Sequence, residues 1–262
     1  MSGYNLGVLL SNCGQIRARW IKVLNGFNPS GPSWHSKHGQ INRPVIYRQN
    51  TEDPHIYRDV YINNCYAVDE SWFDDDKTSI VFDIGAQIGS FSRKVQDIAF
   101  DVDIHAFELV KENYDLYIQN NPNAIAHNAA AVGIHQFCGI RKNNNNTGGH
   151  QAVFRDTESY LNYDAFDPSM VDTKTEVKSI RISDYMQQFE CVDVLKLDCE
   201  GSEYEILPDL IATGEIDKVQ RIVLELHNPK EPDKQKQLLD SLTNSGFRLT
   251  MLRKQIYMAA RI

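Results

Sequence analysis

From Ser79 to Ile262, short apolar runs alternate with stretches of helical spacing, joined mostly by brief connections. SIVFDIG reads as a buried strand, FSRKVQDIAF as a helix, VDIHAFE as a strand, VKENYDLYIQNN as a helix and AIAHNAAAV as a strand. VDVLKLD, a helix from about Glu203 to Ala212, and QRIVLELH repeat the alternation. Strands that are apolar along most of their length and separated by helices belong to a parallel sheet covered on both faces. The helix DKQKQLLDSLTNSG then sets Leu238, Leu239 and Leu242 on one face and ends at Gly246, a residue suited to a helix C-terminus. FRLTMLR and IYMAARI follow, separated by about Lys254-Gln255, and so short a link permits only an antiparallel hairpin. The expected fold is α/β, a doubly wound sheet with one reversed strand.

Two stretches depart from this rhythm. The polar tract NNNNTGGH leads into a β-rich insertion, about residues 140–182, in which QAVFRD and TEVKSIRI alternate with the two-residue period. Residues 1–50 read as an N-terminal extension, with Gly, Pro, Ser and Asn concentrated between Asn25 and Pro44. Within it, Ile16, Trp20, Ile21 and Leu24 fall near helical spacing and predict a short amphipathic helix docked on the core, the alternative being a membrane or partner contact. Residues 51–262 form the main domain, entered through a helix that carries Ile56, Val60, Tyr61 and Cys65.

The formal charge of −8 repels a polyanion, so nucleic acid is not an expected partner. No apolar run approaches the ~20 residues of a membrane span. Met1–Leu10 lacks the basic and long apolar regions of a signal peptide, and a cytoplasmic location is expected. Five cysteines, Cys13, Cys65, Cys138, Cys191 and Cys199, include no C-x-x-C pair and read as reduced thiols.

In doubly wound sheets, ligands bind beyond the carboxyl ends of the strands. At the end of SIVFDIG stand Asp83, then Gly85 and Gly89 enclosing Ala86 and Gln87. This G-A-Q-I-G run lacks the middle glycine that a pyrophosphate requires, and the upstream carboxylate would repel one, which disfavours NAD. A turn of this kind also serves ordinary helix–strand packing. The next strand, however, ends at Glu108, where a carboxylate can accept both hydroxyls of a ribose. Two carboxylates flanking one crevice fit a nucleoside that carries a sulfonium and an amino-acid tail, namely S-adenosylmethionine.

FDIGAQIGSFS, AFELVKENYDLYIQNN, NAAAVG, VDVLKLDCEGSEYEIL and RIVLELH, in this order, resemble the FkbM-type family of S-adenosylmethionine-dependent methyltransferases. The similarity runs from about Glu52 to Ile262, and TEDPHIYRDVYINNCY resembles the family's entrance segment over the cofactor. The resemblance implies a class I Rossmann-like sheet of seven strands, the last antiparallel. It also implies that Asp83, Gly85, Ala86 and Gly89 line the methionine end, that Glu108 holds the ribose, and that Asn128 and Ala129 lie near adenine; Gln87 and Leu109 complete the expected cofactor-binding set. Leu109 stands where the family more often has proline. Implied acceptors are hydroxyls of small molecules or glycans.

Methylating an alcohol calls for a base. By the two-residue strand period, Lys196 and Asp198 share one face, and so do Glu225 and His227. If these strands are neighbours, a Lys196–Glu225 pair lies inside and an Asp198–His227 pair at the rim beside the cofactor. His227 is the expected general base, with Asp198 orienting it; the alternative is a histidine that merely caps its strand. Glu200 joins them in DCEGSE, where a divalent metal held by Asp198, Glu200 and Glu203 is a less favoured alternative. The asparagine tract, the glycines after it and His150 read as a substrate lid or a solvated loop. Tyr160, Tyr163 and Phe166 read as sugar-stacking or packing residues. N-methylation of an amine and a non-catalytic cofactor-binding module are the competing functions.

Overall fold

The computed structural model describes residues 6–7, 21–24, 45–74, 76–134, 137–141, 143, 146–154, 171–172, 178–227 and 233–262. In chain order the elements begin with β1 (Leu6–Gly7), β2 (Ile21–Leu24) and β3 (Tyr47–Arg48), followed by α1 (Asp53–Tyr57). The Rossmann-like core then runs β4 (Ser79–Ile84), α2 (Ser90–Ile98), β5 (Val102–Glu108), α3 (Lys111–Asn120) and β6 (Ile125–Val132). The insertion supplies β7 (Phe137–Arg141), β8 (Gln151–Phe154), β9 (Val171–Asp172) and β10 (Lys178–Arg181). After α4 (Ile182–Met186) come β11 (Val192–Leu197), α5 (Glu203–Thr213), β12 (Val219–Glu225), α6 (Lys234–Asn244), β13 (Phe247–Arg253) and β14 (Ile256–Arg261).

The main sheet has the order β10-β6-β5-β4-β11-β12-β14-β13, and only β14 runs against its neighbours. The seven expected strands are all present, and β10 adds an eighth at the edge beside β6. The remaining insertion strands form a separate sheet of order β8-β7-β9. Successive residues of each central strand feed opposite cores, as pleating requires. Phe82, Ile84, Leu195 and Leu197 pack with α4, α5 and α6 on one face. Val81 and Val194 pack with Phe91 and Val95 of α2 and with Tyr66 of the entrance segment on the other.

The entrance is less regular than its sequence pattern predicts. α1, with Pro54 in its first turn, passes into a π-helical turn over Arg58–Ile62, and the chain then reaches β4 without a longer helix. The helix expected around Leu24 is also absent: Ile21–Leu24 pairs antiparallel with β1 and parallel with β3. Ile21 and Val23 are β-branched residues two apart, a spacing that suits a strand once Tyr47–Arg48 offers it an edge. Ile16 and Trp20 lie outside the described residues.

The strand order reverses between β4 and β11. Connections from β4 move toward β5 and β6, whereas those from β11 move toward β12, so the chain segments leaving these two neighbours part above the strand tips and leave a crevice there.

Candidate active site

The tips of β4 and β11 meet backbone to backbone. Ile84 stands in register with Leu197, and the Asp198 N–H donates to the Ile84 carbonyl at 3.2 Å. Gly85 adopts φ +75°, and a Cβ there would lie 1.8 Å from the Asp198 carbonyl oxygen. The glycine is thus required by the neighbouring turn, not by a ligand. Gly89 likewise faces protein, since its Cβ would meet the Asn121 side chain at 1.9 Å.

Lys196 locks this seam from beneath. Its ammonium donates to the carbonyls of Gly85 (2.6 Å) and Ile84 (3.2 Å), and it lies 3.3 Å from Asp83 and 3.8 Å from Asp198. Burial works against the charge, but the two aspartates outweigh it and raise the lysine pKa. The Lys196–Glu225 pair read from strand periodicity does not form. Register sets Val223 beside Lys196 and carries Glu225 two residues further, next to Asp198. Asp83 is fully buried behind the crevice, where its carboxylate also accepts from the Ser92 hydroxyl at 2.6 Å.

A cavity of about 270 Å³ opens above the seam. At one end stands Glu108, whose oxygens accept from the backbone N–H groups of Gln87 and Val110, both at 2.8 Å. Burial pushes its pKa up, and these bonds offset that only in part. Leu109 and Ala129–Ala131 make an apolar wall beside it. Gly85, Gln87, Glu108, Leu109 and Ala129 therefore line the cavity, whereas Asp83, Ala86, Gly89 and Asn128 stand behind it. Asn128 supports the wall by donating to the Glu108 carbonyl at 2.9 Å.

The other end carries Asp198, Glu200, Glu225 and His227, with Asp59, Cys65 and Arg253 at its margin. The Tyr66 hydroxyl donates to Asp198 at 2.8 Å. Glu203 organises the turn from below, accepting from the N–H groups of Cys199 (2.9 Å) and Gly201 (2.7 Å). It also meets His227 Nδ1 at 3.0 Å, while His227 Nε2 lies 3.5 Å from Glu200 and 3.9 Å from Asp198. Burial disfavours a charged imidazole, yet Glu203 and Glu200 outweigh it and raise the His227 pKa well above the usual value. An imidazolium between two carboxylates is a poor proton acceptor at neutral pH. His227 is thus flanked by a carboxylate at each ring nitrogen, Glu203 at Nδ1 and Glu200 at Nε2. Among the described residues, no group of three or more His, Cys, Asp or Glu side chains is arranged to hold a metal ion.

The roof joins stretches far apart in sequence. Asp53, fully buried, accepts from the Arg48 backbone and guanidinium, from Gln87 Nε2 (2.7 Å) and from the Thr147 hydroxyl (2.6 Å). Asn113 donates to the Thr147 carbonyl at 2.9 Å, and Asn146, Gly148 and His150 face the cavity. Part of the asparagine tract thus covers the site, while Asn144, Asn145, Tyr160, Tyr163 and Phe166 lie outside the described residues. Sequence reasoning missed Asp53, Tyr66 and Glu225 as cavity-organising groups. Only Glu225, two residues before His227 on the same strand face, carried a signal that pointed toward the site.

No helix among the described residues is long and apolar enough to cross a membrane. The model of the methyltransferase FkbM domain matches residues 83–249. No curated protein matches the chain. Among solved structures, the chain is similar to precorrin-6y C5,15-methyltransferase from Geobacter metallireducens at 13% identity, with 78% of this chain and 86% of that one covered and a TM-score of 0.39. For the ribosomal protein L11 methylase of Lactobacillus delbrueckii subsp. bulgaricus the figures are 11%, 97%, 95% and 0.39. For Aeropyrum pernix fibrillarin with natively bound S-adenosyl-L-methionine they are 11%, 70%, 66% and 0.38.

Proposed function

The chain belongs to the FkbM methyltransferase domain family, and is a methyltransferase dependent on S-adenosylmethionine; from that premise we propose that it methylates a hydroxyl group of a small molecule or glycan. The observation that carries this reading is one cavity whose two ends differ in chemistry. One end has a carboxylate beside an apolar wall, and the other gathers three carboxylates around an imidazolium.

The donor set of the first end fits the cofactor. Glu108 Oε2, which accepts from the Gln87 N–H, retains lone-pair capacity for a ribose hydroxyl, while Oε1 accepts from the Val110 N–H and from Asn113 Nδ2 at 3.3 Å; Leu109 with Ala129 offers a surface suited to a purine. Gly85, Ala86 and Gly89 shape the turn beside the methionine portion, with Asp83 acting through Lys196 and Asn128 through the Glu108 carbonyl. When bound, the cofactor supplies an electrophilic methyl on a sulfonium. The chain aligns the acceptor beneath the Asp53-held roof, excludes water there and provides acidic side chains able to receive a proton. His227, with Glu203 and Glu200, fixes the turn that presents Asp198.

The excess of negative charge at the acceptor end disfavours phosphorylated or carboxylated acceptors. The same charge favours the second reading, N-methylation of a cationic amine. Titration calorimetry with S-adenosylhomocysteine, followed by transfer of a radiolabelled methyl to panels of neutral polyols and of amines, separates the readings. Label in acid- and base-stable ethers supports O-methylation, and label confined to amines overturns it.

A further inference from the structure

We infer that Glu225 is the catalytic residue that takes the proton from the acceptor hydroxyl, an assignment that rests on the O-methylation reading above. Glu225 is the last residue of β12, one position past the Leu197–Leu224 pair and so next to Asp198 just beyond β11, and it lines the cavity. Its carboxylate forms no hydrogen bond or ion pair with any described residue. The other acids at this end are engaged: Asp198 by the Tyr66 hydroxyl, Glu200 by His227 and Asp59 by Arg253.

The groups facing it come from every element around it. They are Asp198 and Glu200 beyond β11, His227 beyond its own strand, Arg253 of β13, and Cys65 and Tyr66 of the entrance segment. Burial, then Asp198, pushes the Glu225 pKa up to about 7, and the opposing pull of His227 and Arg253 does not cancel this. A carboxylate so placed exchanges its proton near neutrality, which suits a base that must be reset in each cycle. The neighbouring thiol is no rival, because burial raises Cys65 to about 12.

In the step, the acceptor O–H bond breaks and its proton passes to Glu225. An oxygen lone pair forms the O–CH₃ bond as the S–CH₃ bond breaks, and that bonding pair remains on sulfur. Carboxylate and sulfonium together become carboxylic acid and thioether, so two opposite charges disappear within the cavity. The acid then returns its proton to solvent.

The full-length protein labelled with ¹³C at glutamate carboxyls reads the assignment directly. The carboxyl signal that vanishes in Glu225→Gln and in Glu225→Asp is expected to titrate near neutral pH. With methyl β-glucoside and related neutral glycosides as probes, Glu225→Gln is expected to bind S-adenosylhomocysteine within about twofold of wild type. Its turnover should fall by about 10²–10⁴-fold and lose the acid limb of the kcat–pH profile, with Glu225→Asp recovering part of the rate. A signal titrating in the ordinary carboxylate range overturns the assignment, as does wild-type turnover by Glu225→Gln. If the wild-type protein labels only a benzylamine probe, the hydroxyl reading fails, and Glu225 as proton acceptor then stands or falls on its titration and on the variant's rate with that amine.

Discussion

The turns that follow β4 and β11 share a backbone plan and differ in the chemistry they present. Each carries a non-glycine residue of positive φ three positions beyond its strand, Gln87 at 50° and Glu200 at 54°. Each is closed by backbone N–H groups donating to a buried glutamate, Gln87 to Glu108 in the first, Cys199 and Gly201 to Glu203 in the second. In the first turn that glutamate faces the cavity. In the second it lies behind and binds His227, which leaves the turn's own Asp198 and Glu200 to face inward. One frame thus presents a lone carboxylate beside an apolar wall and, a strand away, a cluster of acids beside an imidazole.

Because both turns hang on one seam, the largest effect belongs to Lys196. Removing a buried cation strands the fully buried Asp83, and Lys196→Met is expected to cost about 3–5 kcal/mol in urea unfolding. The double variant with Asp83→Asn should recover part of that. A loss below ~1 kcal/mol would show that the two turns do not share a frame. Gly85→Ala comes next, at about 1–3 kcal/mol for forcing the seam apart plus ~1 kcal/mol for a left-handed alanine. Thermal unfolding measures it, and a neutral result would contradict the backbone contact.

Glu108→Gln sharpens the division of labour between the turns. It is expected to weaken S-adenosylhomocysteine binding by about 10–100-fold in calorimetry, the equivalent of charged hydrogen bonds at ~1.5–3 kcal/mol. Glu200→Gln should leave that affinity within about threefold, a change of under ~1 kcal/mol. Equal losses in both would erase the distinction. The smallest effect concerns pH. His227 is raised in the folded state, so its stabilisation is complete below its unfolded value of ~6.5 and is lost as pH climbs through the folded value. The stability gap between wild type and His227→Asn should therefore narrow on the alkaline side, and a gap that widens there would refute the imidazolium.

Much of this architecture was legible because it is local. Unbroken apolar strands, a four-residue glycine spacing and the two-residue link of the hairpin specify the parallel core, the first turn and β14. The approach of His227 to Asp198 was read from strand periodicity, and Glu200 from its place in the DCEGSE turn. Register was not legible, since it is fixed by neighbouring strands, and a one-pair misjudgement gave Lys196 the wrong partner in Glu225 instead of Asp83. The glycines were legible as close contacts but not as to what they approach. Ile21–Leu24 is ambiguous in isolation and becomes a strand only because Tyr47–Arg48 lies beside it. Asp53 carried no signal: in TEDPHIY an aspartate before proline reads as an ordinary helix start, and although Arg48 is a local donor five residues away, Gln87 and Thr147 are brought to it by tertiary structure.

That gathering gives the roof a common anchor. Three stretches are fastened to one carboxylate, so its loss would release all three together. Whatever lies beneath would then be uncovered as a whole, with the reacting atoms themselves untouched.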